Sequence, residues 1–244
     1  MSASKDDKTH PTRELDFLAF GPHPDDAEIG CGAFLLKMKG MGYATGIVVL
    51  TEGDMGAGTP PVRRREAEAA ARGLKVDVFE VMDLGDTRVA DTHEQRLLVA
   101  SMIRKYRPKI VLAPYFDIIP GRGRGHGDHI AAGNLVTHAA NFAHLEKYPA
   151  SGKPHAIRKM MYFMVSPFER PTFIVEVDKE FPEAIKAMSA HESQFKRTDR
   201  PLFFPTRLEA FGRYFGALIG AEYGQAFFVA DPLKVNDPLK LLLG

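Results

Sequence analysis

Short apolar runs that alternate with helical segments constrain the fold of this chain more than any other feature. Four runs have the length and composition of strands, and all but the third are strongly apolar: 15–21, 45–50, 76–81 and 110–114. Continuous apolar runs are typical of strands that are buried on both faces, as in a parallel sheet. Helical patterns follow these runs, at 27–40, 61–72, 92–106 and 129–145. The order predicts an α/β fold with a Rossmann-like, mostly parallel sheet and helices on both faces.

The pattern changes after about residue 158. Two further strands are predicted at 160–165 and 172–177, then helices at 181–195 and 206–218 and a proline-rich tail. Residues 1–13 are polar and without periodicity, which predicts a disordered leader. The remaining residues, 14–244, are enough for one α/β domain with a sizeable core.

Composition excludes several classes of protein. A formal net charge of +1 gives no reason to expect a nucleic acid or an anionic membrane surface as a partner. The one cysteine, Cys31, rules out an intramolecular disulfide and a cysteine-rich zinc site, and its apolar helix face favours a core position. No secretory signal opens the chain and no apolar run reaches 18 residues. We therefore expect a cytoplasmic protein that acts on a small molecule and forms a homo-oligomer.

Two polar clusters follow predicted strands. His23-Pro24-Asp25-Asp26 comes directly after the first strand, and His126-Gly127-Asp128-His129 comes after the fourth. Both should lie at the carboxyl edge of a parallel sheet, where α/β proteins bind ligands. Imidazoles and carboxylates without a thiolate form the ligand set of catalytic zinc. One such cluster alone would most often be a turn with a helix cap, but two at one sheet edge predict a metal site.

The same residues resemble a known family. The segments "AFGPHPDDAEIGCGAFL" and "HGDHIAAGNLV" are similar to those of the LmbE-like, or PIG-L, zinc-dependent deacetylases, which remove the acetyl group from N-acetylglucosamine conjugates. Four more segments extend the resemblance over about residues 15–230: "LTEGDMGAGTPPVRRREAEAAARGL", "RPKIVLAPY", "AHESQF" and "YFGALIGAEYGQAF". Together they most resemble the bacillithiol-biosynthesis branch, whose substrate is N-acetylglucosaminyl malate.

The resemblance implies a role for each residue of the two clusters. His23, Asp26 and His129 match the zinc ligands, although Fe²⁺ also accepts this ligand set. Asp25 matches the general base that takes a proton from zinc-bound water as the water attacks the amide. His126 matches the donor to the oxyanion, expected as an imidazolium, and Asp128 is its expected orienting partner or, alternatively, a helix cap. Glu28 is expected to support the metal loop.

Substrate contacts are also implied. Arg63 matches the family's substrate-binding arginine, whose guanidinium suits a carboxylate such as that of malate, and Thr59 precedes it. Arg64 and Arg65 are expected on a solvated helix face. In the loop 118–125, Arg124 is a candidate for the arginine that relatives carry before the second histidine cluster. The tyrosine that assists the oxyanion in relatives has no clear counterpart, and Phe203 and Phe204 lie near its expected place.

Of three alternative functions, the first stays open, the second is disfavoured and the third is rejected. An amidase of the same fold could act on a mycothiol-type conjugate or on an N-acetyl sugar of a secondary metabolite. A non-catalytic sugar-binding protein is disfavoured because pure binding has no use for Asp25 as a base. A nucleotide-binding Rossmann protein is rejected, since the first turn lacks G-x-G-x-x-G and its carboxylates would repel a pyrophosphate.

Overall fold

A computed structural model describes residues 14–116, 126–165, 167, 169–195 and 204–237. The predicted leader at 1–13, the whole 118–125 loop with Arg124, and Phe203 lie outside the described residues, as does the side chain of Phe204. In the part of the chain that is described, no helix is both long and apolar enough to cross a membrane.

The predicted parallel sheet is confirmed. Its five strands are β1 (Phe17–Gly21), β2 (Thr45–Val49), β3 (Val78–Val81), β4 (Ile110–Pro114) and β5 (Lys159–Phe163). They lie in the order β3-β2-β1-β4-β5, and every neighbouring pair is parallel. β1 and β2 are fully buried, whereas β3 is only half-buried at the edge of the sheet, which explains its less apolar sequence.

Helices cover both faces of this sheet, as predicted. The first four are α1 (Asp26–Gly40), α2 (Pro60–Gly73), α3 (His93–Tyr106) and α4 (Gly127–Phe142). One core joins α1 to the sheet through residues such as Phe34, Leu35 and Phe163. The core on the opposite face joins α3 and α4 through Ile103 and Leu135. The order of strands reverses direction at β1, so the crevice between β1 and β4 is the expected ligand position.

Local signals set the starts of these helices. Two prolines open α2, and the Thr92 side chain accepts a hydrogen bond from the backbone N–H of Gln95 at the start of α3. α4 begins two residues earlier than predicted, because the His126 ring caps it by accepting the backbone N–H of Asp128 at 3.3 Å.

The C-terminal part differs from the prediction. β5 ends at Phe163, since Met164 adopts a positive φ of 59°. The strand β6 (Phe173–Glu176) does not join the main sheet but pairs antiparallel with β7 (Gly224–Phe227), which was not predicted. The predicted helix 181–195 is divided into α5 (Glu180–Met188) and α6 (Glu192–Phe195), followed by α7 (Phe204–Ala217).

Candidate metal centre

The turn after β1 positions the first polar cluster. Asp25 has a φ of 117°, a left-handed conformation that costs a non-glycine residue about 1–3 kcal/mol. The turn is closed by Asp26, whose Oδ2 accepts the backbone N–H of His23 at 2.9 Å and lies 3.0 Å from its ring Nδ1. α1 starts at Asp26, so both aspartates are held buried at the carboxyl end of β1.

The second cluster meets the first through the same carboxylate. Oδ1 of Asp26 lies 3.2 Å from Nε2 of His129, which projects from the first turn of α4. Burial raises the pKa of Asp26, but the charges and hydrogen bonds of His129 and His23 hold it below its usual range. Two clusters about a hundred residues apart in sequence therefore share one buried carboxylate.

Within the described residues, two groups of three side chains bring potential metal-ligating atoms within 4.8 Å of one another. One group is His23, His126 and His129, and the other is His23, Asp86 and Asp128. Burial lowers the pKa of His23, but the hydrogen bond and charge of Asp26, together with Asp86 and Asp128, raise it to about 9. A site that favours positive charge and offers only imidazole and carboxylate donors suits a divalent cation such as zinc.

Asp25 occupies a different position from its neighbour. Its buried side chain lies toward Arg63, whereas the Asp26 carboxylate contacts His23 and His129. Burial and the charge of Asp26 raise the pKa of Asp25 to about 7, against the opposing charges of His191 and of Arg63, whose Nη2 is 3.9 Å away. A buried carboxylate beside a metal site, outside the ligand cluster, can act as a base.

Asp128 is not placed as expected. Its Oδ2 lies 3.0 Å from Nε2 of His23 and accepts the backbone N–H of Thr87 at 2.8 Å, so the carboxylate orients His23 rather than His126. Nor is it the cap of α4, since the His126 ring has that role.

His126 also differs from the expected imidazolium. Its Nδ1 accepts the backbone N–H of Asp128, which requires an unprotonated nitrogen. Burial, then the charges of His23 and His129, lower the pKa of His126. The ring is therefore neutral here, with its proton on Nε2.

Arg63 lies beside the cluster, and the protein itself engages its guanidinium. It is 4% exposed, and its terminal nitrogens donate to the carbonyls of Gly53 at 2.7 Å and Pro24 at 2.8 Å. Gly53 has a φ of 66°, and a Cβ there would lie 2.2 Å from Nη1 of Arg63. The guanidinium thus joins the loops after β1 and β2, contrary to the expectation that it binds a substrate carboxylate. We call this arrangement of Pro24, Gly53 and Arg63 the arginine clasp.

The other predicted contacts are less informative. Thr59 is exposed at the start of α2, and its side chain makes no cap hydrogen bond. Arg64 is exposed and pairs with Glu52 at 3.3 Å, which confirms the solvated face. Arg124 lies outside the described residues, so its role stays a prediction.

Comparison with known proteins decides the family. The family model for PIG-L, described as GlcNAc-PI de-N-acetylase, matches residues 18–140. A diacetylchitobiose deacetylase from Thermococcus kodakarensis is 31% identical over 85% of this chain and 80% of its own length. The chain belongs to the PIG-L family. It is an N-deacetylase, a hydrolase that cleaves an amide.

Two further relatives of this PIG-L chain refine the comparison. The crystal structure of a conserved protein from Thermus thermophilus is 34% identical, has a TM-score of 0.82 and covers 91% of this chain and 97% of that one. A probable N-acetyl-α-D-glucosaminyl L-malate deacetylase from Bacillus anthracis is 26% identical over 75% of the chain and 82% of its length. The predicted family is confirmed, but the likeness does not single out the bacillithiol branch.

Sequence reasoning missed Asp86 in this PIG-L site. Its Oδ1 lies 3.1 Å from Nε2 of His23, and its Oδ2 accepts the backbone N–H of Met55 at 2.9 Å. The signal was present, because Asp83-Leu84-Gly85-Asp86 is a third polar cluster that follows a predicted strand. The half-buried, less apolar β3 made that strand end less conspicuous.

His191 was also missed as an individual residue, although "AHESQF" contributed to the resemblance. It lies in the break between α5 and α6, and both His191 and Glu28 are fully buried, with Nε2 and Oε1 3.5 Å apart. Burial lowers the pKa of His191, but the adjacent Glu28 carboxylate, with a contribution from Asp25, raises it. The pair thus connects the first turn of α1, next to the metal loop, with the C-terminal part.

Cys31 has the expected role. It is fully buried, and its Sγ donates to the Ala27 carbonyl at 3.2 Å. Burial, with the nearby Glu28 charge, raises the pKa of the thiol well above its ordinary value, so it is neither a ligand nor a nucleophile.

Proposed function

We propose that this chain hydrolyses the N-acetyl amide of an N-acetylglucosamine conjugate with one bound divalent metal, zinc in first place and Fe²⁺ as the alternative. The observation that carries the proposal is the meeting of the two histidine clusters around the buried Asp26 carboxylate. Membership of the PIG-L family supports the reaction class.

In this proposal His23, Asp26 and His129 hold the ion. A bound ion would polarise the amide carbonyl and make a water more acidic. Asp128 and Asp86 lie 3.0 and 3.1 Å from Nε2 of His23, so a neutral ring with its proton on Nε2 would present the Nδ1 lone pair to the ion on the side of Asp26. Carboxylates behind a ligating histidine fix its tautomer and orientation in this way.

Asp25 and His126 have the proton-transfer and charge-stabilising roles. Asp25 accepts a proton from the attacking water and delivers it to the departing nitrogen. His126 donates through Nε2–H to the oxygen on which negative charge develops, and a neutral ring is sufficient for that donation. The backbone N–H of Asp128 assigns the tautomer by occupying Nδ1.

Two conjugates have support. Our sequence-based preference for N-acetylglucosaminyl malate, and so for bacillithiol biosynthesis, came from the resemblance of several segments, and its best support from a single residue was Arg63 as a ligand for the malate carboxylate. Both terminal nitrogens of Arg63 are engaged by backbone carbonyls, which removes that support. The malyl conjugate is then supported by the 26% identical relative from Bacillus anthracis. A diacetylchitobiose-like substrate is supported by the 31% identical relative from Thermococcus kodakarensis.

A substrate panel tests the proposal. Metal-loaded protein is assayed for amine release from diacetylchitobiose, N-acetylglucosaminyl malate, N-acetylglucosaminyl inositol and free N-acetylglucosamine, with Asp25→Asn as the matched inactive variant. We expect at least one conjugate to release amine with wild-type protein and none at a comparable rate with the variant. Binding of these sugars without amine release would instead identify a non-catalytic sugar-binding protein.

A further inference from the structure

A cavity of about 370 Å³ opens beside the metal centre, between α1, α5, α7 and β7. Asp26 and His129 line it, so it is continuous with the reacting position. Most of its other lining is apolar and includes Ile29, Phe181, Met188, Leu208, Phe211 and Phe215. Its volume lies in the ~300–1,000 Å³ range of small-ligand pockets.

Besides Asp26 and His129, the polar side chains in the lining are Gln225 and the exposed Arg207. Oε1 of Gln225 accepts the backbone N–H of Phe34 within the core, and the Arg207 guanidinium lies over the ring of Phe211 at 5.2 Å. Asp26 and His129 belong to the metal centre. The cavity beyond them therefore has the chemistry of a site for a hydrocarbon group.

The opposite side of the metal centre is polar. There Asp86 and Asp128 contact His23, and Asp86 also binds the backbone N–H of Met55 in the exposed loop after β2. Asp86 and Asp128 are themselves buried, but the loop that Asp86 holds exposes Asp54 and Thr59, whose side chains suit a hydroxyl-rich sugar. The metal centre thus separates a polar surface from an apolar cavity.

A secondary amide has the same asymmetry. Its trans geometry directs the substituent on nitrogen and the substituent on the carbonyl carbon to opposite sides. With the sugar on the polar side, the acyl chain points toward the cavity. An acetyl methyl is about the size of one water, whose share of liquid volume is roughly 30 Å³, so it would leave most of the cavity unfilled.

We propose that this cavity is an acyl-chain site and that the enzyme hydrolyses N-acylglucosamines with medium-length acyl chains in preference to the N-acetyl compound. The inference rests on the proposed amidase function and names its substrate class more narrowly. Hydrolysis consumes one water and breaks the amide C–N bond. The acyl carbon takes the hydroxyl and leaves as a carboxylic acid, and the nitrogen takes the proton and leaves as the amine.

The first experiment is a chain-length series. Glucosamine release is measured with metal-loaded protein for N-acetyl-, N-butanoyl-, N-hexanoyl- and N-octanoylglucosamine. Each methylene transferred from water to the cavity should raise kcat/KM by about threefold to fourfold until the cavity is filled. If the acetyl compound is hydrolysed and the kcat/KM of the octanoyl compound is at least tenfold lower, the acyl-chain site is overturned and the amidase function stays intact. Release from none of these substrates or the conjugates of the first panel would instead remove the amidase function.

The second experiment does not depend on activity. Calorimetric binding of octanamide and acetamide is compared on the full, metal-free chain, with octanamide expected to bind at least tenfold more tightly. Equal weak binding of the two amides would contradict the site.

Two variants place the binding in this cavity. Leu208→Trp and Ala226→Leu add volume to the cavity wall from α7 and from β7 and should each lower the octanoyl-to-acetyl ratio of kcat/KM at least tenfold. Ala210→Trp, on the exposed side of α7 and outside the lining, is the matched control and should keep the wild-type ratio. The octyl glycoside of N-acetylglucosamine is measured as well. If its kcat/KM, rather than that of the N-octanoyl compound, exceeds that of N-acetylglucosamine, and Leu208→Trp removes the increase, the cavity binds the aglycone and the proposal is wrong.

Discussion

The chain up to the end of α4 and the part from β5 onward contribute differently to this enzyme. The first part contains both histidine clusters, and its strands and helices match the sequence-based prediction closely. The second part contains the small β6–β7 sheet and two helices that line the cavity, α5 and α7. The comparison indicates that short turns at strand ends determine the reaction, whereas long-range packing of the second part determines which substrate fits. Variants in the first part should affect all substrates alike, and cavity variants should change their ranking.

The largest effect is expected from the proposed metal ligands. His23→Ala, Asp26→Ala and His129→Ala should each lose the ion and reduce turnover of every substrate to background, because the ion supplies most of the carbonyl activation. Elemental analysis after gel filtration measures the metal content, which should be about one ion per wild-type chain. His126→Ala is the informative comparison. If the variant keeps the metal and turns over more slowly, His126 is a hydrogen-bond donor to the oxyanion. If the variant loses the metal, His126 is a further metal ligand.

Asp25→Asn should separate chemistry from metal binding. The amide keeps the size of the carboxylate but cannot accept the proton, so kcat should fall by ~10²–10⁴-fold with the ion retained. The same factor is expected for short and long acyl chains. A much larger loss on one chain length would mean that Asp25 also positions the substrate.

The Glu28–His191 pair tests the connection between the two parts. Removing one member leaves the other buried without its partner, so Glu28→Leu and His191→Leu should each lower the free energy of unfolding by ~3–5 kcal/mol. The double variant should lose clearly less than the sum of the two. Denaturant unfolding of all four proteins gives the cycle, and strictly additive losses would show that the pair is not coupled.

A smaller effect is expected at the arginine clasp. Arg63→Met removes the guanidinium donor from the buried carbonyls of Pro24 and Gly53, of which Gly53 keeps the backbone N–H of Gly56, and should lower the free energy of unfolding by about 2–3 kcal/mol. Arg64→Met, on the exposed face of the same helix, is the matched control and should stay within about 0.5 kcal/mol of wild type. Turnover of malyl and neutral conjugates should fall by the same factor in Arg63→Met. A loss confined to the malyl conjugate would restore Arg63 as a carboxylate ligand.

The sequence predicted what short-range patterns encode. Apolar runs identified the buried strands, and the topology of a parallel sheet was enough to bring the clusters of His23 and His126 to one edge. Asp86 could have been found by the same reasoning, because it also follows a strand.

Long-range packing explains what the sequence did not predict. The role of Arg63 depends on the carbonyls of Gly53 and Pro24, which no motif reveals. The four residues of β7 include a glycine and a glutamine, and their strand exists only because β6 lies beside them. The break at His191 likewise follows from its burial against Glu28, a contact across 163 positions of sequence.

The arginine clasp has a consequence for how such an enzyme can change. It fastens the loop after β2 near both ends, at Gly53 and at Arg63, and ties it to the catalytic turn through Pro24. The exposed residues between, including Asp54, can be exchanged or lengthened while the clasp keeps the base of the loop in register with the metal centre. A descendant could therefore acquire a new sugar partner by altering this loop alone and inherit the amide-cleaving apparatus unaltered.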